Sequence, residues 1–255
     1  MPATTTDSPA AGRPADVAAL LAGLVREPGR PRLTWYGPDH ERVELSGAVL
    51  ANWVVKTTNL LVEELDAGPG VRVLLDLPAH WRALTWAPAV WRAGACVVRA
   101  DAARAPADGG RVDVVVTSRP DEHGTGAPVV AVSLAALARS WAGPLPRGAV
   151  DAAAAVMTYP DALGWVPAVD TGAPAVAGGP DVAHAALLGT ALGTAPPAGA
   201  RVLRDVRGLD GVDLALAAAA TWAVDGSLVL VDGGALDDAA LERLRTGERV
   251  THDAG

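Results

Sequence analysis

Residues 71–98 constrain this chain more than any other stretch. "VRVLLDL" is an apolar run closed by Pro78, suited to a strand buried on both faces, and "ACVV" is a second apolar run. The residues between them, about Ala79 to Arg92, carry helical periodicity through Trp81, Leu84 and Val90. A strand, a helix and a strand at this spacing form a β-α-β unit and imply parallel pairing. Gly94 supplies the reversal that ends the helix, and Ala95 and Cys96 are small enough for the second strand to sit closely under its neighbours. Cys96 therefore reads as a small core residue.

The alternation extends in both directions. "ADVAALLAGLVRE" predicts an amphipathic helix reaching about Glu27, and "RLTWYGPDHERVEL" predicts a hairpin. Ser46 is placed to cap a long helix that ends in the glycines of "LDAGPG". Further strands are expected at "RVDVVVTS" and "APVVAVS", with a helix through Leu134, Leu137 and Trp141 after them. Beyond the loop "GPLPRG", "AAAAVMTY" is a candidate strand and Pro160 to Pro180 is rich in Pro and Gly. Then come a helix at "DVAHAALLGTAL", a strand at "ARVLRDV", a helix from Leu209 to Val224, a strand at "SLVLVD" and a helix at "LDDAALERLR". The fold class is α/β with largely parallel sheets. The expected organisation is a disordered leader over 1–15, a first subdomain over 16–145 and a shorter one over 146–255.

Composition limits the partners. Half of the 255 residues are hydrophobic, ample for a core, and the formal net charge of -8 carries no basic stripe for nucleic acid or an anionic membrane surface. The start of the chain has no basic region followed by an apolar core, and the longest apolar run, Leu214 to Val224, is far short of the ~20 residues of a membrane span, so a cytoplasmic protein is expected. One cysteine excludes an intramolecular disulfide. Lys56 is the one lysine, so any mechanism needing an ammonium has a single candidate.

The order "RLTWYG", long helix, "LDAGPGVRVLLDLP", helix, "VWRAGACVV" resembles the N-terminal part of the AMP-binding, adenylate-forming superfamily of acyl-CoA synthetases, luciferases and peptide-synthetase adenylation domains. Gly70-Val71-Arg72-Val73 and Arg92-Ala93-Gly94-Ala95 occupy the places of that superfamily's Gly-Asp-Arg-Val and Lys-Ala-Gly-Ala segments. "DGSLVLVDGGALDDAALERLRTGERVT" is similar to its strand, acidic turn and helix. The resemblance implies the superfamily's N-terminal α/β subdomains and, in a complete enzyme, AMP-forming acyl activation with ATP and Mg²⁺.

The residues depart from that chemistry where the superfamily holds triphosphate on a Ser/Thr/Gly-rich loop ending in Pro-Lys-Gly. Here the stretch reads "PDALGWVPAVDTGAP", with no lysine or serine and with Asp161 and Asp170 to repel phosphate. "RVLRDVRGLDGVDL" has neither the aromatic nor the histidine of the acyl pocket, and the superfamily's lysine-bearing C-terminal domain lies beyond Gly255. The expectation is a degenerate, non-catalytic relative acting as a binding or interaction module, with no catalytic residue, cofactor or metal, and with a protein partner. The alternative is an acyl-activating ligase fragment completed by a second polypeptide, which would use ATP and Mg²⁺. A surviving ligand site is placed at Thr158 and Tyr159, at the end of a central strand, with His184 at the start of the next helix.

Other signals are weaker. "VDGG" after a strand resembles short-chain dehydrogenases, but neither Tyr36 nor Tyr159 has a lysine four residues on. His40, His80, His123, His184 and His252 are scattered, with His40 and His123 in turns, and no Gly-x-Ser-x-Gly elbow is present. Trp81, Trp86 and Trp91 recur every five residues, about 140° apart on a helix, so they do not make one ligand-facing stripe, and Trp81 and Trp91 read as interlayer packing.

Overall fold

The computed structural model describes residues 12–100, 106–107, 109–124, 126–233 and 237–254. Most of the expected leader, residues 1–11, lies outside them. The first helix, α1 (Val17–Leu24), is shorter than expected and is capped by the Asp16 carboxylate, which accepts from Ala19 N at 2.7 Å. The hairpin forms as expected from β1 (Pro31–Tyr36) and β2 (Arg42–Ser46). Ser46 caps α2 (Gly47–Leu65), accepting from Val49 N at 3.3 Å. That helix ends on Asp66 in the left-handed region, φ 52°, and not on a glycine.

The β-α-β unit is β3 (Arg72–Asp76), α3 (Ala83–Arg92) and β4 (Cys96–Arg99), and β3 and β4 pair in parallel. Gly94 has φ 81°, a conformation that favours glycine, and it packs against Pro69 and Val169. Cys96 is buried, as its size suggested.

β5 (Val114–Thr117) and β6 (Val129–Ala131) continue the parallel run, followed by the short β7 (Val150–Asp151). The expected helix through Leu134, Leu137 and Trp141 does not form. Its backbone is committed elsewhere: Ala136 N donates to Glu41 Oε1 at 3.0 Å and Trp141 N to Asp151 Oδ2 at 2.8 Å, while Leu137 is 92% exposed.

The candidate strand "AAAAVMTY" is likewise a short helix, α4 (Ala152–Val156). Alanine's helix preference and the Asp151 carboxylate, which accepts from Ala153 N and Ala154 N, decide it. The Pro- and Gly-rich stretch conceals β8 (Pro174–Ala177). Val182 then pairs with Val176 in β9 (Val182–Ala183), which delays the next helix, α5, to Leu187–Leu192. The chain closes with β10 (Arg201–Asp205), α6 (Gly211–Ala223), β11 (Ser227–Val231), α7 (Asp238–Gly247) and β12 (His252–Ala254).

Two sheets result, ordered β12-β10-β11-β1-β2 and β7-β6-β5-β3-β4-β8-β9, parallel except at β2 and β9. The first sheet joins residues 31–46 to residues 201–254 and the second holds residues 72–183, so the sheets do not divide the chain at 145. One hydrophobic core runs through both, with α3 in contact with α1, α2, α6, β3 and β4. Among the described residues no helix is long and apolar enough to cross a membrane.

Trp91, 1% exposed, donates from Nε1 to the Ala175 carbonyl on β8 at 3.0 Å, tying α3 to the far side of the second sheet. Trp91→Ala should cost about 3–5 kcal/mol in urea unfolding, from the lost side chain and the orphaned carbonyl. A loss under about 1 kcal/mol would show that α3 is not held through this residue.

Candidate functional site

In open parallel sheets, ligands bind beyond the carboxyl ends of the strands. Here the ends of β3, β5 and β6 face a cleft that the ends of β1 and β11 also border. One part, about 390 Å³, is lined by Trp35, Glu41, Pro78, His80 and Asp232 among others. The other, about 480 Å³, is lined by Pro78, Ser118, Arg119, Ser133 and Trp141 among others, and Pro78 and Leu134 are common to both. Irregular backbone after β6 crosses this space, held at Ala136 by Glu41, whose other carboxylate oxygen accepts from Trp35 Nε1 at 2.9 Å.

The segment leaving β3 supplies the buried polar groups. Pro78 ends the strand, and His80 follows, buried, its ring edge-on to Trp35 at 4.6 Å. His80 Nδ1 accepts from Arg82 N at 3.2 Å. Burial, and then the nearby Arg82 charge, push the His80 pKa down to about 3, so the ring is neutral at physiological pH. Arg82 is 6% exposed, and its guanidinium lies 4.0 Å from the Trp81 ring centroid and 4.8 Å from that of Trp53. Burial pushes its pKa down to about 10, partly offset by the charge of Glu41.

A second cluster sits at the same strand ends. The Asp76 carboxylate, 5% exposed, accepts from Thr117 Oγ1 at 2.7 Å and from Arg119 at 3.1 Å, and His123 Nε2 lies 2.9 Å from it. These groups satisfy a buried charge and fix the turn after β5. His123, read from sequence as a turn residue, follows a 3-10 turn but has its side chain buried against Asp76.

The sequence-predicted ligand residues lie elsewhere. Thr158 and Tyr159 follow a helix and not a central strand, because residues 152–156 are helical. Thr158 Oγ1 donates to the Ala155 carbonyl at 2.7 Å and the Tyr159 hydroxyl to Glu64 Oε1 at 2.8 Å, with burial and Glu64 raising the tyrosine pKa. His184 lies in a 3-10 turn before α5, half-buried, its pKa lowered mainly by burial. It lines a separate cavity of about 120 Å³ with Trp91, Arg92 and Thr171, which Thr158 and Tyr159 do not line. Sequence reading missed Asp76, His80, Arg82 and Arg119. For Asp76, His80 and Arg82 the signal is the strand terminator Pro78, since residues flanking it stand at a carboxyl edge, whereas Arg119 follows β5 and has no such marker.

The stretch proposed to replace a phosphate loop is tied to α2. Asn59 Nδ2 donates to the Ala162 carbonyl at 3.0 Å and Asn59 Oδ1 accepts from Gly164 N at 2.9 Å. Lys56 pairs with Asp161 at 2.8 Å and donates to the Tyr159 carbonyl. The residues present do not fit a triphosphate: the one ammonium is neutralised and the Gly164 N–H is occupied. Among the described residues no group of three or more His, Cys, Asp or Glu is placed to hold a metal ion.

Two parallel-rich sheets around a shared helical layer make this the α/β architecture of the N-terminal subdomains of adenylate-forming enzymes. An acyl-CoA synthetase of Brucella canis superposes with a TM-score of 0.70 at 18% identity, over 96% of this chain and 48% of that one. The amide bond synthetase McbA of Marinactinospora thermotolerans gives 0.64 at 18% identity, over 93% of this chain and 48% of its own. Acetoacetyl-CoA synthetase of Streptomyces lividans gives 0.67 at 18%, over 85% and 38%. This chain thus spans about half or less of these structures and resembles their truncated N-terminal part. No family model matches it. A TIGR03089 family protein of Mycobacterium tuberculosis is 35% identical over 258 aligned positions, 91% of this chain and 95% of that protein, and this chain belongs to the same family.

A histidine whose folded pKa lies below its unfolded value of about 6.5 leaves the unfolded state binding more protons, so stability rises with pH between the two values. Because His80 titrates at about 3, its contribution falls as pH drops from about 6.5. His80→Gln should flatten the loss of stability between pH 6.5 and 4, against a wild-type slope from this group of up to about 1.4 kcal/mol per pH unit. Parallel curves for the two proteins would place the buried neutral histidine elsewhere.

Proposed function

We propose that this protein is a non-catalytic member of the adenylate-forming fold that acts as a binding or interaction module. The observation that carries the reading is the state of residues 159–164. Lys56 is paired with Asp161, and the backbone around Gly164 is bonded to Asn59. Phosphoryl chemistry depends on preorganised donors aimed at phosphate oxygens, and a neutralised ammonium beside a carboxylate supplies none. Trp165 and Met157, 76% and 58% exposed on the same stretch, give it apolar surface suited to a protein partner.

The test is a melting titration with ATP and AMP, each with Mg²⁺, beside pyrophosphate exchange in the presence of carboxylic acids. Occupancy at 100 times Kd would stabilise the protein by ~2.7 kcal/mol, a readily measured shift. The reading expects neither a shift nor exchange. A saturable shift with ATP overturns it, and exchange appearing only with a copurifying polypeptide replaces it with a ligase completed in two pieces.

A further inference from the structure

His80 has one hydrogen-bonding atom that the protein does not use. A backbone N–H can only donate, so the bond from Arg82 N to His80 Nδ1 at 3.2 Å makes that nitrogen an acceptor and puts the proton of the neutral ring on Nε2. Nε2 has no hydrogen-bond partner among the described residues, yet it is not sealed in the core, and His80 lines the part of the cleft of about 390 Å³. The ring is held there between Trp35, edge-on at 4.6 Å, and Trp81, tilted at 5.7 Å. A donor fixed in direction is therefore presented to the cleft.

The rest of the lining decides what that N–H can meet. Trp35, Pro38, Pro78 and Leu134 make much of the wall apolar, and the volume lies within the range of small-molecule sites. Besides His80, the ionisable groups that line it are the carboxylates of Glu41 and Asp232, and no cation does. Arg119 lines the adjoining part instead, paired with Asp76 and Glu122. Two carboxylates and an uncharged imidazole disfavour a carboxylate or phosphate ligand, while the N–H offers a cation no acceptor. We propose that this cleft binds an uncharged, largely apolar carboxamide, whose carbonyl oxygen accepts from His80 Nε2–H and whose own N–H suits the carboxylate side of the lining. None of residues 157–165 lines it, so the site is separate from the apolar surface described above.

Ligand-detected NMR on the full chain tests this with benzamide, cyclohexanecarboxamide and indole-3-acetamide, each beside its own carboxylate. At least one amide should bind saturably, about tenfold or more tightly than its acid, and should move the His80 ring nitrogen resonances. His80→Phe, which keeps an aromatic ring against Trp35 and removes the donor, should weaken that amide about tenfold, the loss expected for one hydrogen bond. Leu134→Trp, which fills the cleft from a half-buried position, should abolish binding without lowering the melting temperature, and serves if His80→Phe does not fold. Failure of all three amides to bind, an acid that binds as tightly as its amide, or binding that survives both substitutions overturns the proposal.

Discussion

The architecture depends on enclosing α3 on every side. Nine consecutive residues, Ala83 to Trp91, are buried, which no helix on the outside of a sheet can achieve. A helix apolar around its whole circumference needs neighbours all round, and α1, α2, α6 and the strands β3 and β4 provide them. Ala83, Ala87 and Ala89 let those neighbours approach, and the tryptophans are buried in different surroundings. Trp81 stacks on Arg82, Trp86 lines the small cavity with Trp53, and Trp91 bonds across to β8. Trp81 lies in the turn that leads into α3, while Trp86 and Trp91 are buried within a helix that has no exposed face.

That enclosure sets the electrostatics of the strand ends. Residues 76–82 leave β3 and turn into the enclosed helix, so each polar side chain there is desolvated. Asp76 meets the condition by collecting Thr117, Arg119 and His123. His80 meets it by staying neutral, at the cost of stability in acid. Arg82 stays charged at neutral pH even with its pKa lowered to about 10, and is supported by the charge of Glu41, two long carbonyl contacts and two aromatic faces. Unpaired buried ions cost several kcal/mol, far more than the fraction of a kcal/mol that exposed pairs such as Arg207 and Asp205 contribute.

Local signals were legible in the sequence wherever one interaction decided the outcome. Ser46 opens α2 because a hydroxyl can cap it, and Gly94 ends α3 because its φ of 81° favours glycine. Failures occurred where distant residues competed for the same backbone. Leu134, Leu137 and Trp141 have helical spacing, yet Glu41 and Asp151 hold the amides of that segment. β8 is masked by prolines and glycines, and its strand character comes from pairing with β4. Thr158 and Tyr159 were placed at a strand end for the same reason: once residues 152–156 coil, they leave the sheet, while the groups near Pro78 carry no sequence motif beyond that proline.

The proposed loss of adenylate-forming chemistry rests on several contacts rather than on a missing lysine alone. A phosphate site needs a cation and several unoccupied N–H groups converging on one volume. Around residues 159–173 several such groups already have protein partners: Lys56 has Asp161 and the Tyr159 carbonyl, Gly164 N has Asn59, and Gly172 N has the Asp170 carboxylate. Restoring one donor leaves the others bonded, and introducing a lysine leaves two carboxylates beside it.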